Sequence, residues 1–341
     1  MDITKMTVEE VMKACAEGKF SIREAFTRSE GSQLFVTSLN KLLLRGYDST
    51  PKNHLAVANL VNITSKDIKF PLLYGVSPTL IPEGSEIPYS EISPTAVTVE
   101  PLKFGMRMGF TNEMLDDNEV GLMAWNTERM GARMAELEAA ETFKCLETFY
   151  ASGLTGDIGP YYRGSKYTTY SGTNTVSNIQ IDMSAVTLNT WEEAISEAIA
   201  RLASQTLTVG SRTIDYPVVA DTIIVNPKQL IPVRRVLDAQ IAQARGNLRL
   251  IDTGAIAIGG GSNVMRGMLN IIATPYITTN HAFIGKAQGG GLVFVRRAPL
   301  AIDKTENFAT DCTDARALER FLPAVVDYRQ FAYCFDINDM G

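Results

Sequence analysis

The chain has 341 residues, 45% of them hydrophobic and 21% charged, with a formal net charge of −6 and a mean hydropathy of zero. This composition excludes a disordered chain, and no stretch approaches the roughly 18 consecutive apolar residues of a membrane span. The acidic balance argues against a protein that coats nucleic acid, and only two histidines, His54 and His281, are present for acid–base or metal chemistry.

The polar start, Met1 to Met6, has no signal-peptide core. Cys15, Cys145, Cys312 and Cys334 are far apart and form no CxxC pair, which favours reduced, partly buried thiols over disulfides. The first fifty residues predict three short helices. Thr7-Val8-Glu9-Glu10 and Ser21-Ile22-Arg23-Glu24 fit a capping box, in which hydroxyl and carboxylate satisfy exposed amides reciprocally. The third helix spans Gln33 to Arg45, with Leu34, Phe35, Leu39, Leu42 and Leu43 on one side and Gly46 as its stop. Three such helices cannot hold a core, so they predict an arm that needs another surface.

Between Pro71 and Pro101 the composition changes. Pro71, Pro78, Pro82, Pro88, Pro94 and Pro101 fall there, and proline removes a sheet donor and suits extended edges. Between Phe70 and Val99 the only charged residues are Glu83, Glu86 and Glu91, set among Leu72, Leu73, Tyr74, Leu80, Ile81 and Tyr89. An acidic, apolar-studded loop of about thirty residues is a candidate binding element; the alternative is an irregular hairpin folded on its own domain. Leu102, Phe104, Met106, Met108 and Phe110 then alternate with Lys103, Gly105, Arg107 and Gly109, the period of a half-buried strand.

A helix of roughly 48 Å is predicted from Glu119 to Tyr150. Met123, Met130, Met134 and Leu137 share one face, and Trp125, Ala132, Ala139, Phe143, Leu146 and Tyr150 share the opposite one. Such a helix is expected between two layers, with Gly121 and Gly131 easing a bend. Gly153 to Asn178 reads as a boundary, and an α/β pattern follows. Its parts are a helix capped at Thr190, a strand over Thr222 to Val225, a helix from Asn226-Pro227, and strands over Met268 to Ala273 and Leu292 to Val295. Arg245 to Arg266, rich in glycine, reads as a loop. Gly289-Gly290-Gly291 predicts a hairpin turn, and Phe331 to Phe335 a last strand returning to the first domain.

Catalytic and cofactor patterns are sparse. Gly259-Gly260-Gly261-Ser262 lacks the lysine of a phosphate loop and the spacing of a dinucleotide loop. Asp116, Asp117 and Glu119 suit a helix dipole better than a calcium loop. No GxSxG surrounds a serine, and Cys145 has no adjacent histidine. The pairs Arg234-Arg235 and Arg296-Arg297 read as ion-pairing groups, and both histidines as structural residues. No catalytic residue, metal ligand or cofactor is expected.

The order of arm, Pro-rich acidic loop, alternating strand, long helix and α/β half resembles the major capsid family of tailed bacteriophages, the Hong Kong 97-type fold. Ile81-Pro82-Glu83-Gly84-Ser85-Glu86-Ile87-Pro88 resembles that family's extended E-loop stretch. Phe110-Thr111-Asn112-Glu113-Met114-Leu115-Asp116-Asp117 resembles its lead-in to the spine helix. Val225-Asn226-Pro227 and Leu292-Val293-Phe294-Val295-Arg296-Arg297-Ala298-Pro299-Leu300 resemble its axial-domain strand-to-helix step and late strand.

The resemblance implies an α+β capsid fold with an N-terminal arm (residues 1–67) and an E-loop (68–101). A peripheral domain would use residues 102–178 and 310–341, and an axial domain residues 179–309. It implies a non-enzymatic virion protein, assembled in the host cytoplasm into hexamers and pentamers of an icosahedral shell around double-stranded DNA. Tyr74, Leu80, Glu83, Glu86, Tyr89, Gly259, Gly260 and Gly261 are the expected assembly interface. With only about fifty residues before the body, scaffolding would come from a separate protein, beside a portal and a possible decoration protein. Contact with packaged DNA would be weak and non-specific, and no membrane is implied. Encapsulin shells share this fold, so an encapsulin role is the alternative, followed by a cytosolic α/β enzyme for a phosphorylated ligand.

Overall fold

Two β-sheets and one long helix organise the chain. The computed structural model describes residues 29–71, 83, 96–111, 120–151, 161–162, 165–166, 179–182, 191–209, 212–238, 265–279, 281–307 and 312–335. In chain order these form α1 (Ser29–Ser49), α2 (Asn53–Val57), β1 (Asn59–Asn62), β2 (Ile68–Pro71), β3 (Ala96–Val99), β4 (Leu102–Thr111) and α3 (Val120–Ala151). There follow β5 (Tyr161–Tyr162), β6 (Ser165–Lys166), β7 (Ile179–Asp182), α4 (Trp191–Ala203), β8 (Thr206–Val209), β9 (Arg212–Asp215), β10 (Thr222–Val225) and α5 (Leu230–Asp238). The last strands are β11 (Asn270–Ala273), β12 (Ala282–Gly285), β13 (Leu292–Asn307), β14 (Cys312–Val325) and β15 (Phe331–Phe335).

The first sheet has the order β1-β13-β14-β4, antiparallel except for β1 beside β13. The second has the order β11-β10-β12-β15-β7, with β10 parallel to β11 and β15 parallel to β7. Helix α3 joins them. Its C-terminal half buries Phe143, Leu146 and Phe149 with Phe294 and Phe321 of the first sheet and Phe283 and Phe331 of the second. Each such ring contributes roughly 2–3 kcal/mol by burial. On the other side of the second sheet, Ala194, Ile195, Ala198 and Leu202 of α4 pack with Val233 and Leu237 of α5. The acidic first turn of α4 (Glu192, Glu193) and Arg201 in its last turn complement the helix dipole.

Several expectations are corrected. Helix α1 does not stop at Gly46 but runs on to Ser49. The reason is a close helix crossing: a Cβ on Gly46 would lie 1.8 Å from the Glu128 carbonyl oxygen, and one on Gly131 would lie 2.0 Å from that of Leu43. Ser49 Oγ and Thr50 Oγ1 donate to the Gly46 carbonyl and finish the helix instead. Gly131 thus serves contact rather than a bend. The arm helix finds its surface in its own chain, where Leu39, Leu43 and Tyr47 pack against Met130, Met134, Leu300 and Ile302. The two predicted helices before it lie outside the described residues. The two-sided pattern of α3 divides along its length, its first half meeting α1 and its second half both sheets, while Trp125 is exposed beneath the Arg129 guanidinium.

The strand placements are corrected as well. Leu292 to Val295 extends to Asn307 and belongs to the first sheet, where β13 pairs with β14 along almost its whole length. The register shifts around Arg296, Ala298 and Ala301, next to Pro299, which has no amide to donate. Phe331 to Phe335 does not return to β4 but lies between β12 and β7 in the second sheet. Its residues Phe331, Ala332, Tyr333 and Cys334 are all buried, as a central strand requires. Strand β11 begins at Asn270, two residues later than expected, and Met268 is exposed. Gly289-Gly290-Gly291 is not a hairpin turn; it carries the chain from β12 in one sheet to β13 in the other. A Cβ on Gly291 would meet the Gln330 side chain at 2.4 Å and the Asp327 carbonyl at 2.7 Å, and Gly290 has φ +90.

Candidate assembly interface

Tyr74, Leu80, Glu86, Tyr89, Gly259, Gly260 and Gly261 lie outside the described residues. Glu83 is described and is exposed in a turn. What the structure brings together is the base of the Pro-rich segment. Strands β2 and β3 pair antiparallel, with Ile68 opposite Val99, Lys69 opposite Thr98, Phe70 opposite Val97 and Pro71 opposite Ala96. Pro71 and Ala96 therefore lie side by side at the two ends of the segment. Val99 is fully buried and Ile68 and Phe70 are packed against the main core, so apolar burial anchors the ribbon at its base.

One face of the first sheet is basic. Lys103 lies opposite Arg320, and Arg107 opposite Arg316, across the β4–β14 pair. Like charges so placed repel, and among the described residues acidic neighbours offset half of them: Asp314 pairs with Arg107, and Asp303 lies 3.2 Å from Arg316. Gly105, between Lys103 and Arg107, keeps this strip low, since a Cβ there would meet Leu318 at 2.5 Å. Leu44, Leu60, Met106, Val219, Ile231 and Met268 are apolar side chains left exposed elsewhere on the surface.

The strongest polar constellation is internal, and sequence reasoning missed it as a unit. Tyr47 of α1 donates to Glu138 Oε2 of α3 at 2.7 Å. Arg296 of β13 donates to Glu138 Oε1 at 2.5 Å and to the Tyr47 hydroxyl at 2.7 Å. His54 of α2 places Nε2 3.3 Å from Glu138 Oε2, without hydrogen-bond alignment. Glu319 of β14 lies 3.2 Å from Arg296 Nε, again without alignment, and both its oxygens lack a donor. Burial works to raise the Glu138 pKa, but the adjoining His54 and Glu319, the Arg296 charge and the Tyr47 hydroxyl outweigh it and hold the carboxyl low. Burial, then the neighbouring Glu138, pushes Glu319 the other way, up to about 9. The Arg296-Arg297 pair was a partial signal. Its first member pairs inside the protein because it sits where the β13 register shifts.

His281 is also structural, paired with Glu147 and edge-on to Tyr333 at 5.1 Å. Cys145 and Cys334 are buried free thiols, and loss of hydration pushes both up to about 12, far from a reactive thiolate. Among the described residues no cluster of three or more His, Cys, Asp or Glu side chains is arranged for a metal, and no helix is long and apolar enough to cross a membrane.

The sequence model of a family described as "Phage capsid protein" matches residues 95–334, well over half of the chain. The chain belongs to the phage capsid protein family. Its fold is the Hong Kong 97-type capsid fold that the sequence resembles. The capsid of a native GTA particle is similar over 84% of this chain and 90% of that one, at 14% identity and a TM-score of 0.54. The capsid of the cyanophage P-SCSP1u is similar over 82% and 86%, at 12% identity and a TM-score of 0.51. An encapsulin complex from Synechococcus elongatus is similar over 85% and 89%, at 8% identity and a TM-score of 0.49, too low to carry weight. A search of curated proteins found no match. The family and the fold together bear out the expected major capsid protein, a structural protein of the virion that assembles with copies of itself.

Proposed function

We propose that this capsid protein forms the hexamers and pentamers of an icosahedral shell that encloses double-stranded DNA, assembled in the host cytoplasm. The observation that carries the reading is the family match over residues 95–334, which takes in the long helix α3, the second sheet to Cys334 and all of the first sheet except β1. Residues 1–67 act as the arm, 68–101 as the E-loop, 102–178 and 310–341 as the peripheral domain, and 179–309 as the axial domain. The two sheets exchange strands across the last boundary, β13 going one way and β15 the other. Tyr74, Leu80, Glu83, Glu86 and Tyr89 meet a neighbouring subunit. The charge contrast supports this: the loop segment holds three acids and no base, while the strip with Lys103, Arg107, Arg316 and Arg320 is basic. Gly259, Gly260 and Gly261 adapt the axial loop to different capsomer axes. A separate scaffolding protein, a portal and a decoration protein complete the particle, and the acidic chain holds DNA only weakly and without sequence preference.

Negative-stain imaging of the purified protein, alone and co-expressed with its scaffold, tests the reading. Closed shells or capsomers are the expected result. Light scattering that shows only 37 kDa monomers under both conditions overturns it.

A further inference from the structure

We propose that the cluster of Tyr47, His54, Glu138, Arg296 and Glu319 is a one-proton latch. Helices α1 and α2 stay docked on α3 and the first sheet while Glu319 is protonated, and loosen when it gives up that proton. The inference is a property of the folded subunit and stands apart from the proposed shell.

The geometry is that of two carboxyls sharing one guanidinium in a dry site. Both glutamate side chains are fully buried, and each comes from a different element. Glu138 receives aligned hydrogen bonds from Tyr47 and Arg296, so it is the ionised member. Glu319 receives none, although its oxygens are buried. Carrying a proton, it becomes a donor toward Glu138; without one, it is a second buried anion with two unsatisfied oxygens. Arg296 is the one permanent positive charge among the five, and it is already matched by Glu138.

Among the described residues, no other charge compensates from the elements packed around the pair. Helix α1 offers the Tyr47 phenol, and α2 offers His54. Strand β13 offers Arg296, and β4 places the apolar Phe104 opposite Glu319. The nearby Lys52 ammonium lies over the outer side of the Tyr47 ring, 4.0 Å from its centroid, and is bound to Asp48. Phe294 closes the site beneath His54 and Arg296, at 5.3 and 5.4 Å.

The release points to α1 and α2 because they hold no place in the ladders. Strands β13 and β14 are bonded along their length, and α3 is buried between both sheets. Among the described residues and apart from apolar packing, α1 is tied down by the Tyr47 hydroxyl, by the exposed Arg45–Glu128 pair at 3.6 Å, and by Asn40, which accepts from the Ile302 amide at 3.0 Å. Lifting α1 and α2 lets water reach Glu319, which then loses its proton to solvent at the pH of an ordinary carboxyl.

Hydrogen exchange of the full-length protein, corrected for base catalysis, reads this opening in peptides from α1 and α2. Because the closed form binds one more proton than the open form, protection should fall about tenfold per pH unit from about pH 5, levelling near about pH 9. In Glu319→Gln the same peptides should show flat protection over that range, since the amide cannot ionise. Infrared spectroscopy of the wild-type protein gives a second readout that needs no variant. A protonated carboxylic-acid band should be present at about pH 7 and titrate away toward alkaline pH. Flat wild-type protection, a loss of protection spread evenly over the whole chain, or the absence of that band overturns the latch.

Discussion

Replacing Gly46 with alanine tests the helix crossing on which the placement of α1 depends. The new methyl carbon would stand 1.8 Å from the Glu128 oxygen and 2.7 Å from its carbonyl carbon. Ordinary contact begins at 3.4 Å, so the helices must part by about 1.6 Å, the difference between the two distances. The obstacle is backbone, which cannot swing aside as a side chain would. A gap of about 1 Å already forfeits up to half of the dispersion attraction between facing atoms, here Leu39, Leu43 and Tyr47 against Met130 and Met134. Overpacking of this kind costs about 3 kcal/mol at the upper end, and alanine returns about 1 kcal/mol through its higher helix propensity. The net expectation is a loss of about 2 kcal/mol, seen by calorimetry as a fall in Tm of about 3 °C. Gly131→Ala should behave alike, and the double variant should cost little more than either, because one displacement accommodates both methyls. An unchanged or raised Tm for Gly46→Ala would mean that propensity outweighs contact, and would refute the close crossing.

Arg296→Met leaves Glu138 ionised and buried without its cation, so chemical denaturation should show a loss of about 3–5 kcal/mol; a loss below about 1 kcal/mol would contradict the burial of the pair. The low pKa of Glu138 stabilises the fold above the ordinary carboxyl range and is lost as pH falls through about 2. Glu138→Gln should remove that acid limb from a pH–stability curve. Cys145 and Cys334 should escape alkylation in the native protein and react only once it unfolds, as peptide mass spectrometry would read; modification of either at native rates would contradict their burial. Lys69 and Lys103 stand on β2 and β4, at the base of the acidic loop, and no lysine lies between them. The shell should therefore fall apart into single chains on boiling in detergent and reductant, and a ladder of linked subunits on the gel would refute this.

Local pattern alone was enough to place the secondary structure that rests on burial periodicity. The alternation over Leu102 to Phe110, the long helix after it and the buried run Thr222 to Val225 are properties of neighbouring residues, and each forms where the sequence puts it, while the helix expected from Asn226-Pro227 opens as a 3-10 turn and becomes α-helical at Leu230. The order of these pieces also carried the capsid resemblance. Tertiary structure decided what no neighbour could. Gly46 reads as a helix stop until another helix lies against it, and Phe331 to Phe335 can join either sheet until β12 and β7 enclose it. The polar seam was the least legible feature. Tyr47, His54, Glu138, Arg296 and Glu319 are spread over most of the chain and carry no common spacing. Only the packing of two helices and two strands on α3 removes water from all five at once. Dehydration pushes both glutamates up alike, and the donors and charge gathered on Glu138 pull it back down, so the two diverge through contacts that no local motif encodes.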